Sequence, residues 1–373
     1  MINKNLSIDK KFLLTTMQLI AYGTLVMYSA SAHLAEVKFD SYSYYLLTHI
    51  QWLIIGFFAY QVTSRLKYQK LKTIIPLIIA STWIVICLAF YLNPTDKPSR
   101  WLIINGSNWM TTSDLARIML IIYTAYFIDK YHKNIHDFKF MFTRFTIVPI
   151  LTLGLILMQP DLSSTIIISL IILSMLLIAK VSYRYITIII TIGAVLFSYQ
   201  IITNKYMYNR LNTWVHSFYY ESNHDLDNQQ HKALMALGSG GITGKKLGNS
   251  TIKTGYLPAA HTDYILAIIG EEYGFLGVVY LFFIFSMIFH LGIQAVKIST
   301  DRFSLFLSLG IVINLIFYFS INVAYVIGYA PNTGLSLPFI SYGGSNTIFT
   351  LAAIGLLINI SRDSLKLKTN KII

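Results

Sequence analysis

The chain is a succession of apolar runs, each near the length that crosses a bilayer, joined by short links that hold most of the cations. A spanning helix needs roughly 20 mostly apolar residues, because the hydrocarbon layer is about 30 Å thick and a helix rises about 1.5 Å per residue. Such runs fall at 12–32, 47–64, 73–92, 114–129, 145–158, 163–179, 185–202, 264–291, 303–327 and 346–360. The pattern predicts an all-α polytopic integral membrane protein with about ten transmembrane helices. Only 12% of the residues are charged and the mean hydropathy is +0.59, which excludes a soluble globular domain. Gln159-Pro160-Asp161 separates the fifth run from the sixth, since proline and an adjacent charge favour a turn. No clean small-residue cleavage site follows the first run, so it is expected to stay as an anchor.

A net charge of +13 would suggest nucleic acid in a soluble protein, but here the cations gather in the links and read as topology signals, with no nucleic-acid partner expected. With the N-terminus in the cytoplasm, nineteen Lys and Arg side chains fall on that side. The short loops opposite hold only Lys38, Lys97 and Arg100. Both termini are therefore assigned to the cytoplasm, and 203–262 becomes one large extracytoplasmic loop between helices 7 and 8 of a single membrane domain, 1–373. The lone cysteine, Cys87, permits no internal disulfide, and its apolar neighbours predict a buried position.

Ionisable residues in or beside spans are costly in lipid and are functional candidates by default. They concentrate on the outer side. Arg100 and Trp101 precede Thr112-Ser113-Asp114-Leu115-Ala116-Arg117, where Asp114 and Arg117 share a helix face and can neutralise each other. Asp161 follows Gln159-Pro160 and is placed to cap the sixth helix. Gly238-Ser239-Gly240-Gly241-Ile242-Thr243-Gly244 resembles a phosphate-binding loop only superficially. A P-loop would need glycine at 239 and Ser or Thr at 246, where Ser239 and Lys246 stand, and a dinucleotide fingerprint would need glycine at Thr243. Lys253 and His261-Thr262-Asp263 close the loop. Asp263 sits where a carboxylate meets the positive end of the eighth helix, so stabilisation of that helix and direct chemistry are both open to it. His261 has no metal-ligand spacing with a second His or Cys. Glu271 and Glu272, beside Gly270 and Gly274, need cations or a polar cavity. The proline and glycine signals of 328–345 predict non-helical backbone at membrane depth, tolerable only where protein surrounds it. These segments together outline an outward-facing pocket.

At these residues the sequence resembles the SEDS family (shape, elongation, division and sporulation), the peptidoglycan glycosyltransferases that include FtsW, RodA and SpoVE, and it runs closer to the FtsW branch than to RodA. The resemblance rests on Gly238-Ser239-Gly240-Gly241 with Gly244, Tyr256-Leu257-Pro258 through His261-Thr262-Asp263, Gly270-Glu271-Glu272-Tyr273-Gly274, and Asn332-Thr333-Gly334 with Leu337-Pro338-Phe339. Gln159-Pro160-Asp161-Leu162 also follows the family pattern. The chain departs from it at Asp114 and Arg117, where glutamate and lysine are usual, and at Asn228, where tyrosine usually precedes Gln229.

The resemblance implies a polymerase that joins lipid II into glycan strands, with Asp263 as the catalytic carboxylate. It implies substrate contacts from Arg100, Trp101, Asp114, Arg117, Asp161, Gln229, Lys253, His261, Thr262 and Glu271, with arginine suited to gripping pyrophosphate bidentately. It further implies a bacterial cytoplasmic-membrane location, a class B penicillin-binding transpeptidase as partner, and room for Mg²⁺ or Mn²⁺ between a carboxylate and phosphate oxygens, although no cofactor is required by the sequence. Two other readings stay open: a lipid II flippase, which should offer polar groups at both faces, and a noncatalytic scaffold for a transpeptidase.

Overall fold

The structure, a computed structural model, describes residues 8–93, 100–104, 107–219, 229–253, 257 and 260–370. Three long helices open the chain: α1 (Ile8–Phe39), α2 (Tyr44–Arg65) and α3 (Leu71–Leu92). A small antiparallel hairpin follows, β1 (Trp101–Ile104) and β2 (Ser107–Thr111), in which Trp101 pairs with Thr111. It is a small addition to a chain that is otherwise all-α, as expected. Next come α4 (Thr112–Lys130), the short α5 (Phe138–Phe140), a π turn at Met141–Phe145, α6 (Ile147–Met158), α7 (Leu162–Ile178) and α8 (Tyr183–Thr203). The region expected to be one outer loop contains two further helices, α9 (Lys205–Tyr219) and α10 (Gln229–Ser239). The chain closes with α11 (Ile265–Ile298), α12 (Arg302–Val326) and α13 (Gly344–Asn370).

All ten apolar runs lie on helices. By length and composition seven helices qualify as membrane spans, α1, α2, α3, α8, α11, α12 and α13, and the segment Phe138–Phe145 with α6, bent by 49°, makes an eighth if it crosses as one. Helix α4 carries Asp114, Arg117, Asp129 and Lys130, and α7 has only 17 residues, so neither passes on hydropathy and length. The bend has a local cause. Pro149 has no N–H to offer the carbonyl of Phe145, which instead accepts from the Tyr123 hydroxyl at 3.3 Å.

Helices α4, α7, α11 and α12 form the buried centre, with Leu120, Ile171, Phe285 and Leu307 excluded from the surface. Helices α2 and α13 approach closely because Gly355 lies against Thr63, whose hydroxyl also donates to Ala352 O at 2.9 Å. Helix α8 is peripheral, with only 6% of its apolar window buried inside the chain. Cys87 is exposed rather than buried. It lies on α3, another peripheral helix whose apolar outer face suits lipid, so apolar neighbours in sequence did not mean a protein interior.

Candidate functional site

The glycine-rich segment repairs a broken helix. Within α11, Gly274 adopts φ 65° and ψ −161°, so the helix is interrupted after Tyr273. The interruption frees backbone groups that must find partners away from water. Residues 240–246 supply them: Lys245 N and Lys246 N donate to Glu271 O and Glu272 O at 2.9 and 3.0 Å, and Phe275 N and Leu276 N donate to Gly241 O and Ile242 O at 2.9 and 3.2 Å. The approach needs glycine. A Cβ on Gly240 would stand 1.9 Å from Gly270 O, and one on Gly244 would stand 2.2 Å from Glu272 O.

Two buried ion pairs fasten the same junction. Glu271, fully buried, accepts from Lys245 Nζ at 2.8 Å, from Thr251 Oγ1 at 2.7 Å and from the Ser250 hydroxyl. Glu272, 1% exposed, accepts from Lys253 Nζ at 2.7 Å and from Ser29 Oγ of α1 at 2.7 Å. Both glutamates therefore have cations, as their depth in the bundle requires. The structure places Glu271 and Lys253, both singled out in sequence as substrate contacts, in this junction.

Asp263 lies in the turn just ahead of the first segment of α11. The residue in the capping position is Tyr264, which makes no side-chain cap, so the Asp263 carboxylate is not the N-cap of this helix. Its backbone is fixed instead: the carbonyl of Asp263 accepts from Tyr325 Oη at 2.6 Å and from Asn322 Nδ2 at 3.2 Å, and both donors also reach Leu335 O. One side-chain pair thus locks the Asp263 turn to the non-helical backbone that precedes α13. Asp263 as a whole residue is half-buried. Desolvation by the surrounding protein raises its pKa, opposed by the Thr262 hydrogen bond and the charges of Arg210 and Arg100. Gly334, at φ 66°, sits between carboxylate and guanidinium: a Cβ there would be 3.7 Å from both Asp263 Oδ2 and Arg210 Nη2.

Arg210 was not among the residues singled out from the sequence. It reaches the site on α9, which is preceded by Asn204, whose Oδ1 accepts from Met207 N at 3.4 Å, and which is pinned over the last loop by Trp214 Nε1 donating to Gly328 O at 2.9 Å. Gln230 of α10 adds donation to Ala330 O at 2.8 Å, while Gln229 is half-buried beside it. The signal in the sequence was the mixture of aromatic, apolar and basic residues over 205–219, which reads as an amphipathic helix. Arg100 approaches from the hairpin, where its carbonyl accepts from Thr112 N at 3.1 Å and its guanidinium lies 5.7 Å from the centre of the Trp101 ring.

His261 is buried between Tyr45 and Tyr342, with ring centroids at 4.8 and 5.8 Å. Burial, helped by the charge of Lys38, lowers its pKa to about 4, so it is neutral at physiological pH. Its carbonyl accepts from Tyr342 N at 2.9 Å, a second tie between this turn and the last loop.

Asp114 and Arg117 form the expected pair, 3.3 Å apart, in the interior of the bundle. Asp114 also accepts from Ser345 Oγ at 2.7 Å, and Arg117, fully buried, donates to Asn346 Oδ1 at 3.0 Å and lies over the Tyr318 ring at 4.2 Å. Asp161 caps α7 through Ser164 N at 3.2 Å and accepts from Ser113 Oγ at 2.8 Å. This network joins the starts of α4, α7 and α13. Ser345 ties it to Thr111 of the hairpin, while Asp263 is hydrogen-bonded to Thr262 and feels the charges of Arg210 and Arg100.

Residues 9–366 match the family of cell cycle proteins that groups FtsW, RodA and SpoVE. The probable peptidoglycan glycosyltransferase FtsW of Geobacter metallireducens is 32% identical over 356 residues, covering 95% of this chain and 94% of that protein. Stage V sporulation protein E of Bacillus subtilis is 29% identical, covering 98% of this chain and 100% of its own length. Among solved structures, a chain of a peptidoglycan synthase complex superposes with a TM-score of 0.75 at 18% identity, covering 95% of this chain and 97% of that one. The rod shape determining protein RodA of Thermus thermophilus gives a TM-score of 0.67 at 19% identity, covering 94% and 96%. Match along almost the whole length and a shared fold identify the chain as a multi-pass membrane protein of the FtsW/RodA/SpoVE family.

Proposed function

We propose that this protein is a peptidoglycan glycosyltransferase that polymerises lipid II, with Asp263 as general base. The observation that carries the reading is the half-buried Asp263, its carboxyl raised in pKa by desolvation and lying within the field of Arg210 and Arg100. In the reaction, a bond forms between the acceptor sugar hydroxyl and the anomeric carbon of the donor, as the bond from that carbon to the lipid pyrophosphate breaks. The hydroxyl proton passes to Asp263, and the negative charge gathering on the pyrophosphate falls to Arg210 and Arg100. A raised pKa makes the carboxylate a stronger base than an exposed aspartate.

The full ten-span topology, with both termini in the cytoplasm and the Asp263 site outside the bacterial cytoplasmic membrane, belongs to this reading and is supported by the cation distribution. So does a penicillin-binding transpeptidase as partner, supported by the likeness to a chain of a peptidoglycan synthase complex. Among the described residues no three His, Cys, Asp or Glu side chains gather as a metal site. A Mg²⁺ or Mn²⁺ ion at Asp263 would take its remaining ligands from substrate oxygens and water, and would supply charge neutralisation at the pyrophosphate. The flippase reading would draw on the break in α11, but the backbone groups at that break are already bonded to residues 241–246.

Purified protein given lipid II tests the proposal. Asp263→Asn keeps the shape but cannot take the proton, and product formation is expected to fall about 10²- to 10⁴-fold while lipid II binding persists. Near wild-type product from this variant would overturn the assignment of Asp263. No product from wild type, with lipid II crossing proteoliposome membranes, would favour a flippase.

A further inference from the structure

At the ends of α4, α7 and α12 farthest from Asp263, a cleft of about 250 Å³ is lined by Ile128, His132, Ile135, Ile178, Ala179, Lys180, Arg302 and Phe306. Its lining combines apolar side chains with Lys180 and Arg302, and it contains no acidic side chain. The local acids are otherwise engaged. Asp129 is paired with Lys72 at 2.6 Å, and Asp301 accepts from Ser304 N at 2.9 Å and from Tyr68 Oη at 2.7 Å. Among the described residues, no carboxylate pairs with Lys180 or Arg302.

The backbone at Lys180 adds a second, independent sign. Helix α7 ends with Lys180 N donating to Leu177 O at 3.0 Å and Val181 N donating to Leu176 O at 3.1 Å, the pattern in which the residue after the cap is left-handed and usually glycine. Here it is lysine, at φ 58°. The chain holds a cation at the cleft against the backbone preference of that position. Beside it, Leu177 and Ile178 are 46% and 51% exposed, an apolar approach from the lipid side.

We propose that this cleft binds the phosphate of an anionic phospholipid, with Lys180 and Arg302 around the headgroup and the first methylenes of the chains against Ile178 and Phe306. Basic pockets between spanning helices suit such headgroups, and the apolar side chains distinguish a lipid phosphate from a free one. The inference stands apart from the assignment of Asp263.

The test uses the full-length protein in detergent, with retained lipid read by native mass spectrometry. Phosphatidylglycerol and phosphatidylcholine of equal chain length are compared for wild type, Lys180→Gly, Arg302→Gln and the double variant. Wild type is expected to retain phosphatidylglycerol selectively, each single variant to lose about five-fold in apparent affinity, and the double variant about 25-fold. Lys180→Gly relieves the left-handed strain, so its melting temperature should match or exceed wild type and lost binding cannot be ascribed to unfolding. Equal retention of both lipids, or a double variant that retains phosphatidylglycerol as wild type does, would overturn the proposal. Complete displacement by millimolar inorganic phosphate would also overturn it, in favour of a free-anion site.

Discussion

Lys253 Nζ lies 2.7 Å from Glu272 Oε1, joining the end of the glycine-rich loop to the helix it repairs. With the lysine removed, Glu272 would keep only Ser29 and the Ser250 amide around a buried charge. Lys253→Met is expected to cost about 3–5 kcal/mol, because the desolvated carboxylate then lacks its cation. Adding Glu272→Gln should recover much of that loss. Thermal unfolding of the four proteins in detergent gives the coupling, and a double variant no more stable than Lys253→Met alone would show that the two side chains act independently.

Gly241 and Gly244 separate two costs that usually come together. Both have positive φ, 58° and 77°, but a Cβ on Gly241 meets nothing within 4 Å, whereas one on Gly244 would stand 2.2 Å from Glu272 O. Gly241→Ala should therefore lose only the backbone preference, about 1 kcal/mol. Gly244→Ala must also push residues 242–246 off α11, and is expected to lose several-fold more stability together with polymerase activity. Equal melting temperatures for the two variants would refute the docking argument.

Much of this was legible from the chain. The ten apolar runs located the helices, since burial in lipid leaves a plain 20-residue signal, and the Asp114–Arg117 pair followed from helical spacing alone. The hairpin was also signalled, by Asn105-Gly106 between Trp-Leu-Ile-Ile and Ser-Asn-Trp-Met-Thr, although its strands are short beside the apolar membrane segments on either side. What spacing does not encode is which distant partners meet. In sequence Lys253, Glu271 and Arg210 look alike, and only the break at Gly274 shows that the first two meet partners where a helix is closed. Arg210 was hidden for a related reason: it belongs to an amphipathic helix inside a region that, by hydropathy, is simply a long link.

His261 makes a separate prediction about acid. Its pKa of about 4 in the folded protein, against about 6.5 unfolded, means that the unfolded chain binds the extra proton first. Stability should therefore fall as pH drops from about 6.5 towards 4, by up to about 3 kcal/mol from this group, and stay level above that window. Replacing His261 with Phe preserves an aromatic ring between Tyr45 and Tyr342 and should flatten this part of the profile. Melting temperatures of wild type and His261→Phe between pH 4 and 7 check it, and parallel slopes would exclude His261 as the source.

In the proposed reaction the charges around Asp263 set the pH at which it acts as base. Burial raises its pKa, while Arg210 and Arg100 pull it back, so the acid limb of the polymerisation rate should lie above the ordinary carboxylate range and mark the point where Asp263 becomes a base. Arg210→Gln removes one of the opposing charges. The limb should then move to higher pH, and the rate at its plateau should fall as well, because the departing pyrophosphate loses a cation. A raised native pKa also means that ionising Asp263 works against the fold: the stability held below its unfolded pKa is lost as pH rises through the folded one. Asp263→Asn should accordingly melt higher than wild type at neutral pH, with the difference shrinking on acidification, even as its polymerase activity falls about 10²- to 10⁴-fold. An acid limb that stays in place in Arg210→Gln would remove Arg210 from the neighbourhood of the base. An Asn variant that melts below wild type at neutral pH would instead make the Asp263 charge a structural asset, contrary to the role assigned to it.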